Sequence, residues 1–189
     1  MTSPLFSRRA AMVAMGASAL ALAGCNSVSG SAQRAATIDT RVDAALAFLD
    51  SDVPGARELG EKAAGVLVMP LQTEASFGFG GAYGRGALRV GGATIDYYQA
   101  TQASFGVQIG AQQYAHAIYF MTEEALQNFR NGLGLTAGGD LKLTMADNAQ
   151  QISAETLTAV DPVIGVVFGQ AGLIGGASID GTVYNRIIP

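Results

Sequence analysis

The 189-residue chain offers few side chains for acid–base or covalent work: one His, one Cys and no Trp. His116 lies in Ala115-His116-Ala117-Ile118-Tyr119-Phe120-Met121. A strand period there puts it on the face of Ile118 and Phe120. A general base needs a partner and a reacting group within reach, and no spacing supplies either, so its expected role is structural. Gly176-Ala177-Ser178-Ile179-Asp180 lacks the closing glycine of a nucleophile elbow. Gly81 to Gly86 has the gap of a phosphate loop, but Ala87 and Leu88 stand where Lys and a hydroxyl would hold phosphate and metal. The acids are scattered, forming neither a calcium loop nor a His-Glu-x-x-His helix. A single Cys excludes a disulfide framework and a Cys-rich zinc site. Neither an enzyme nor a cofactor is expected. A formal charge of −4 argues against nucleic acid, which needs clustered Lys and Arg.

The thiol is a different matter. Arg8-Arg9 is followed by an uncharged run from Ala10 to Ala23, and the run ends in Leu22-Ala23-Gly24-Cys25. A basic region, a short apolar region and small residues before a cleavage point describe a secretory leader, too short to span a bilayer comfortably. Leu-Ala-Gly-Cys resembles the bacterial lipobox, in which the cysteine is diacylated, the leader is cut before it and the new amine is acylated. Residues 1–24 are therefore read as a lipoprotein signal peptide and Cys25 as the lipidation site. Ser7-Arg8-Arg9 partly resembles a twin-arginine signal. Removing the leader takes away two basic residues, leaving nine against 15 acids. Several acyl chains anchor far more firmly than one, so the domain need not grip head groups to stay on a membrane. Asn26, rather than Asp, follows the Cys; by the sorting rule of enteric bacteria this predicts the outer membrane, facing the periplasm.

Residues 25–36 are rich in Ser, Ala and Gly and read as a flexible tether to a single domain at 37–189. Ile38, Val42, Ala45, Leu46 and Leu49 form one apolar helical stripe, with Asp39, Asp43 and Asp50 off it. Pro54-Gly55 breaks this helix, and a second short one is predicted from Ala56 to Ala64. Short apolar runs punctuated by glycine then follow: 66–69, 75–83, 87–90, 94–100, 104–112 and 115–121. Gly91-Gly92 is a hairpin signal. Thr122-Glu123-Glu124 opens a helix with a hydroxyl cap, and Ala125, Leu126 and Phe129 give it an apolar side. The uncharged run from Val163 to Ile179 has two Gly-xxx-Gly spacings, yet its length and β-branched content favour a hairpin over a membrane helix. Strands are also predicted at 141–145 and 182–188. Ala-Ser-Phe-Gly occurs at 75–78 and again at 103–106. The pattern predicts an α+β protein: a mainly antiparallel sandwich or barrel-like body with a few short helices, two of them N-terminal.

A series of motifs carries a family resemblance. It begins with Ala63-Ala64-Gly65-Val66-Leu67-Val68-Met69-Pro70 and continues through Gly80-Gly81-Ala82-Tyr83-Gly84-Arg85-Gly86-Ala87-Leu88 to Tyr97-Tyr98. Ala103 to Gln112, Phe120-Met121-Thr122 with Phe129, and Pro162-Val163-Ile164 through Phe168-Gly169-Gln170-Ala171-Gly172-Leu173 complete it. In order and spacing the series resembles the SYLF domain, the lipid-binding or yeast-type actin-binding module, over about two-thirds of the chain. The resemblance implies lipid binding: eukaryotic members bind phosphoinositides at membrane–actin sites, and bacterial members are mostly envelope lipoproteins. Ala64 replaces a Lys of the family pattern, and Ala171 stands where a basic residue is often found. Phosphoinositide specificity therefore does not transfer, and actin does not suit a bacterial envelope.

The expected partner is membrane lipid, through the acyl anchor at Cys25 and through anionic phospholipid at the domain. Arg57, Lys62, Arg85 and Arg89 are the candidate head-group cations. The alternative is an envelope module that contacts another protein, of unknown identity, and binds no head group itself. If Cys25 is the acylated N-terminus, Cys25→Ser abolishes lipid labelling and blocks processing. The intact mass of membrane-extracted protein checks this, and an unmodified thiol or a cut elsewhere contradicts it.

Overall fold

A computed structural model of the chain describes residues 8–132, 135–137, 144–145, 161–169, 172–173 and 179–189. The elements are α1 (Arg8–Asp52), α2 (Ala56–Lys62), β1 (Gly65–Val90), β2 (Ala93–Phe120), α3 (Glu123–Asn131), β3 (Leu135–Thr136), β4 (Thr144–Met145), β5 (Val163–Gly169), β6 (Gly172–Leu173) and β7 (Val183–Ile187). The chain divides into two units, Met1–Ala36 and Thr37–Ile188. In the first, helix α1 runs through the stretch read as a flexible spacer, which is rich in Ser and Ala and has no Pro. None of the described helices is long and apolar enough to cross a membrane.

In the second unit, β1 and β2 form one ribbon, paired antiparallel from Gly65↔Phe120 to Val90↔Ala93. The turn is Gly91-Gly92, with φ of 57° and 82°, the left-handed pair that a two-residue hairpin requires. The predicted separate runs thus merge into two strands of 26 and 28 residues. Glycine did not terminate them; it allowed them to bend. A straight strand of that length would reach roughly 85 Å. Three register shifts, at Met69/Gln72, Phe77/Gly78 and Leu88/Arg89, let the ribbon coil. Gly78 pairs with Gly106, so the two Ala-Ser-Phe-Gly copies lie close to each other across the ribbon.

Strand β2 is the centre of the sheet. Its residues 115–120 pair with β5 and its residues 97–101 with β7, both antiparallel. β6 pairs with β5 as the hairpin expected in 163–179, β3 pairs with β7, and β4 joins β5 in parallel. The sheet is mainly antiparallel, as predicted, and it does not close into a barrel. Of the strand expected at 141–145, only Thr144–Met145 lies within the described residues.

Coiling gives the sheet two apolar faces. The inner one gathers Leu67, Met69, Leu88, Tyr98, Ile118, Phe120, Val167 and Tyr184. Helix α3 caps it with Leu126 and Phe129, and Thr122 accepts from Ala125 N as the predicted cap. The outer face, with Val66, Val68, Ala117, Tyr119, Ile164 and Val166, receives the stripe Ile38, Val42, Ala45, Leu49 and Val53 of α1 and Leu59 of α2. Both clusters lie within Thr37–Ile188, so this unit contains its own core.

The inner face closes where β1 meets itself. A Cβ at Gly86 would overlap the Val68 carbonyl oxygen and lie 2.6 Å from the Met69 sulfur. One at Gly84 would overlap the Leu71 carbonyl oxygen. Gly86→Ala should therefore cost about 3 kcal/mol, because a backbone must move to admit the methyl. At Gly60 of α2 an added Cβ meets only Tyr119, at 3.8 Å. Gly60→Ala should be neutral or stabilising by up to about 1 kcal/mol. Urea unfolding of the two variants checks the contrast; equal effects would contradict it.

Candidate functional site

The four cations singled out in the sequence do not share a partner. Arg57 is exposed on α2. Lys62 Nζ donates to Glu58 Oε1 at 2.8 Å, an exposed pair one helical turn apart. Arg85 Nε donates to the Tyr83 hydroxyl at 2.6 Å, with the guanidinium 5.9 Å from the ring centre. That pair sits exposed on β1.

Arg89 has a structural task. Its Nη2 donates to Asp43 Oδ1 at 2.6 Å and lies 3.5 Å from Asp39 Oδ1, while Nη1 donates to Gly92 O at 3.2 Å. Asp39 also accepts from Thr94 Oγ1 at 2.7 Å and from the Tyr97 hydroxyl at 2.8 Å. The carboxylates lying off the apolar stripe of α1 thus fasten that helix to the hairpin end of the ribbon. Burial raises the Tyr97 pKa, the hydrogen bond to Asp39 adds to it, and Arg89 opposes it. The phenol therefore stays protonated, and a donor to Asp39, at neutral pH. Asp96 makes a second such junction, 3.2 Å from Arg130 of α3 and 3.7 Å from Arg186 of β7.

His116 is fully buried on the inner face, as its strand position predicted. Its Nε2 lies 2.9 Å from the Tyr184 hydroxyl. Burial alone lowers its pKa to about 3, so the ring is neutral at physiological pH. Gln72 is equally buried nearby in register, opposite Tyr114. The imidazole has no exposed surface and packs in the inner core between Tyr114 and Tyr184.

A concave feature among the described residues lies elsewhere. A groove of about 820 Å³ opens between α1 and the sheet. On the helix side it is lined by Arg41, Ala44, Ala45 and Phe48, which fall at i, i+3, i+4 and i+7 and so form one face. The opposite side is the Pro70-Leu71 bulge of β1, and Tyr114, Ala115 and Phe168 complete the wall. Phe48 and Phe168 stack with centroids 6.0 Å apart and planes at 13°. The bulge follows from the sequence: Pro70 has no N–H to give a ladder. The register shift there places Leu71 partly in solvent, 36% exposed. Volume and mostly apolar lining fit a small-molecule site, typically about 300–1,000 Å³ with few polar groups.

Sequence reasoning missed this site. Its signal was present in the second helical face of α1, beside the buried stripe, and in the proline within a strand run. If Arg89 is a fastening, Arg89→Ala should lower stability by about 1–3 kcal/mol, since it leaves two carboxylates without their cation. Arg85→Ala should change it by less than about 0.5 kcal/mol. Thermal melts of both variants check this, and similar shifts would contradict it.

Among families, residues 101–186 match the model described as Ysc84, Las17-binding protein actin regulator. The match runs from within β2 through α3 to β7, and so covers the C-terminal part of the motif series but not Ala63–Tyr98. No curated protein matches the chain. Over residues 101–186, a little under half of its length, the chain is similar to the SYLF (Ysc84) family, to which the motif series also points.

Proposed function

We propose that the chain is a bacterial envelope lipoprotein, acylated at Cys25 and held at the outer membrane facing the periplasm, whose SYLF domain binds lipid and catalyses no reaction. The groove between α1 and the Pro70-Leu71 bulge is the observation that supports lipid binding best. It is apolar and open to solvent, and it belongs to the face on which α1 is fastened. Binding there draws on the hydrophobic effect, which an acidic domain exploits without a basic surface. Arg57, Lys62 and Arg85 are exposed and add attraction toward anionic lipid, about 1 kcal/mol for each basic side chain held at the membrane surface. Arg89 acts on α1 instead.

Residues 36–189, which lack the anchor, separate this reading from the interaction-module alternative. On vesicles of mixed zwitterionic and anionic lipid the domain should co-float at low salt and retain most binding at physiological salt. Phe48→Asp, a charge at the partly exposed groove wall, should abolish flotation while circular dichroism stays unchanged. Arg85→Glu should weaken it only slightly. A domain that ignores every vesicle at low salt would overturn lipid binding and leave the protein-interaction role. Binding that vanishes between low and physiological salt would move it from the groove to head-group cations.

A further inference from the structure

Among the described residues that line the groove there is one cation, and its placement suggests a particular ligand. Arg41 lies on the groove face of α1 and is exposed. The helix positions one turn away, Thr37, Ile38, Ala44 and Ala45, bear no acid. Arg89, Lys62, Arg130 and Arg186 are each in an ion pair with Asp or Glu; Arg57 and Arg85 are exposed, but neither lines the groove as Arg41 does. The chain is acidic overall, so a guanidinium next to an apolar channel is locally exceptional. Beyond Arg41 the described lining is apolar apart from Gln113; the Tyr114 side chain belongs to the inner cluster, and its hydroxyl donates to Gln102 Oε1 at 3.2 Å.

From this pairing we infer that the groove takes up a single-chain anionic amphiphile, one molecule at a time. The acyl chain lies along Phe48, Leu71 and Phe168, and its carboxylate or phosphate meets Arg41. This rests on the groove being the lipid site and goes further: the ligand leaves the bilayer rather than being touched at its surface. One channel and one cation match one chain and one anion. A guanidinium suits either head group, since it offers paired N–H donors to the planar carboxylate and to phosphate alike. The ligand class is therefore a free fatty acid or a lysophospholipid with an anionic head.

The chain has no Trp, so Leu71→Trp at the groove rim gives residues 36–189 a single Trp, excitable apart from the tyrosines, without enlarging a closed core. Titration with a doxyl-labelled fatty acid, below its micelle concentration, should quench this Trp saturably. Unlabelled fatty acid and lysophosphatidic acid should each displace the label, and their ratio shows which head group is preferred. Lysophosphatidylcholine, with a zwitterionic head, should compete about tenfold more weakly. Adding Arg41→Gln should weaken the acid about tenfold, the size of one charge-assisted contact, and remove that discrimination. Equal competition by the zwitterionic lipid, or no effect of Arg41→Gln, would overturn the inference. Quenching seen only with doxyl lipid in vesicles would also overturn it, leaving the groove as a contact with the bilayer. Absence of quenching in both arms, with flotation retained, would remove the groove from lipid binding altogether.

Discussion

Where β1 passes over itself, the backbone of Gly86 lies against the Val68 carbonyl and that of Gly84 against the Leu71 carbonyl. Two layers of one strand approach there more closely than any side chain would permit, and the rest of the unit follows from that approach. It brings Leu88 and Tyr98 over Leu67 and Met69, which makes an inner core from a two-stranded ribbon. It also bends the ribbon so that β2 can pair with β5 near one end and with β7 near the other. An isolated hairpin of this length would expose one face along its whole course and be marginal in water. Coiling supplies a second layer without a second sheet.

The outer face is completed by helices, and here charges decide the geometry. The apolar stripe of α1 fixes which side faces the sheet, but apolar contact is non-directional and tolerates sliding. Asp39 and Asp43, gripping Arg89, Thr94 and Tyr97, fix where along the ribbon the helix stops. With α1 set in this way, Arg41 and Phe48 come to face the Pro70-Leu71 bulge across the groove. A structural salt bridge near the hairpin thus anchors the helix whose adjoining face lines the apolar groove.

How far the sequence foretells this differs from element to element. The stripe of α1, the Thr122 cap, the Gly91-Gly92 turn and the buried place of His116 were all legible, because each rests on local spacing. The strand ends were not legible. Glycine usually punctuates, and only the distant backbone at Val68 and Leu71 shows that Gly84 and Gly86 are there for closeness instead. Arg89 reads as a surface cation for the same reason, since its acids lie about fifty positions earlier in the chain. The motif series pointed to the family through residues spread over the body, whereas the groove is built at the junction of a helix and a bulge. Residue types near Arg41 and Phe48 offer no chemistry until Phe168 is placed beside them.

Central to the account is a domain that meets lipid along the flank of α1 rather than through a basic surface. Hydrogen–deuterium exchange of residues 36–189, alone and with lipid vesicles, tests this most directly, since it reports every segment at once. The account predicts added protection at 41–49, at Leu71 and at 113–115, with 56–62 and 83–89 unchanged. Protection confined to 56–62 and 83–89, where Arg57, Lys62, Arg85 and Arg89 lie, with the groove segments exchanging as before, would contradict it.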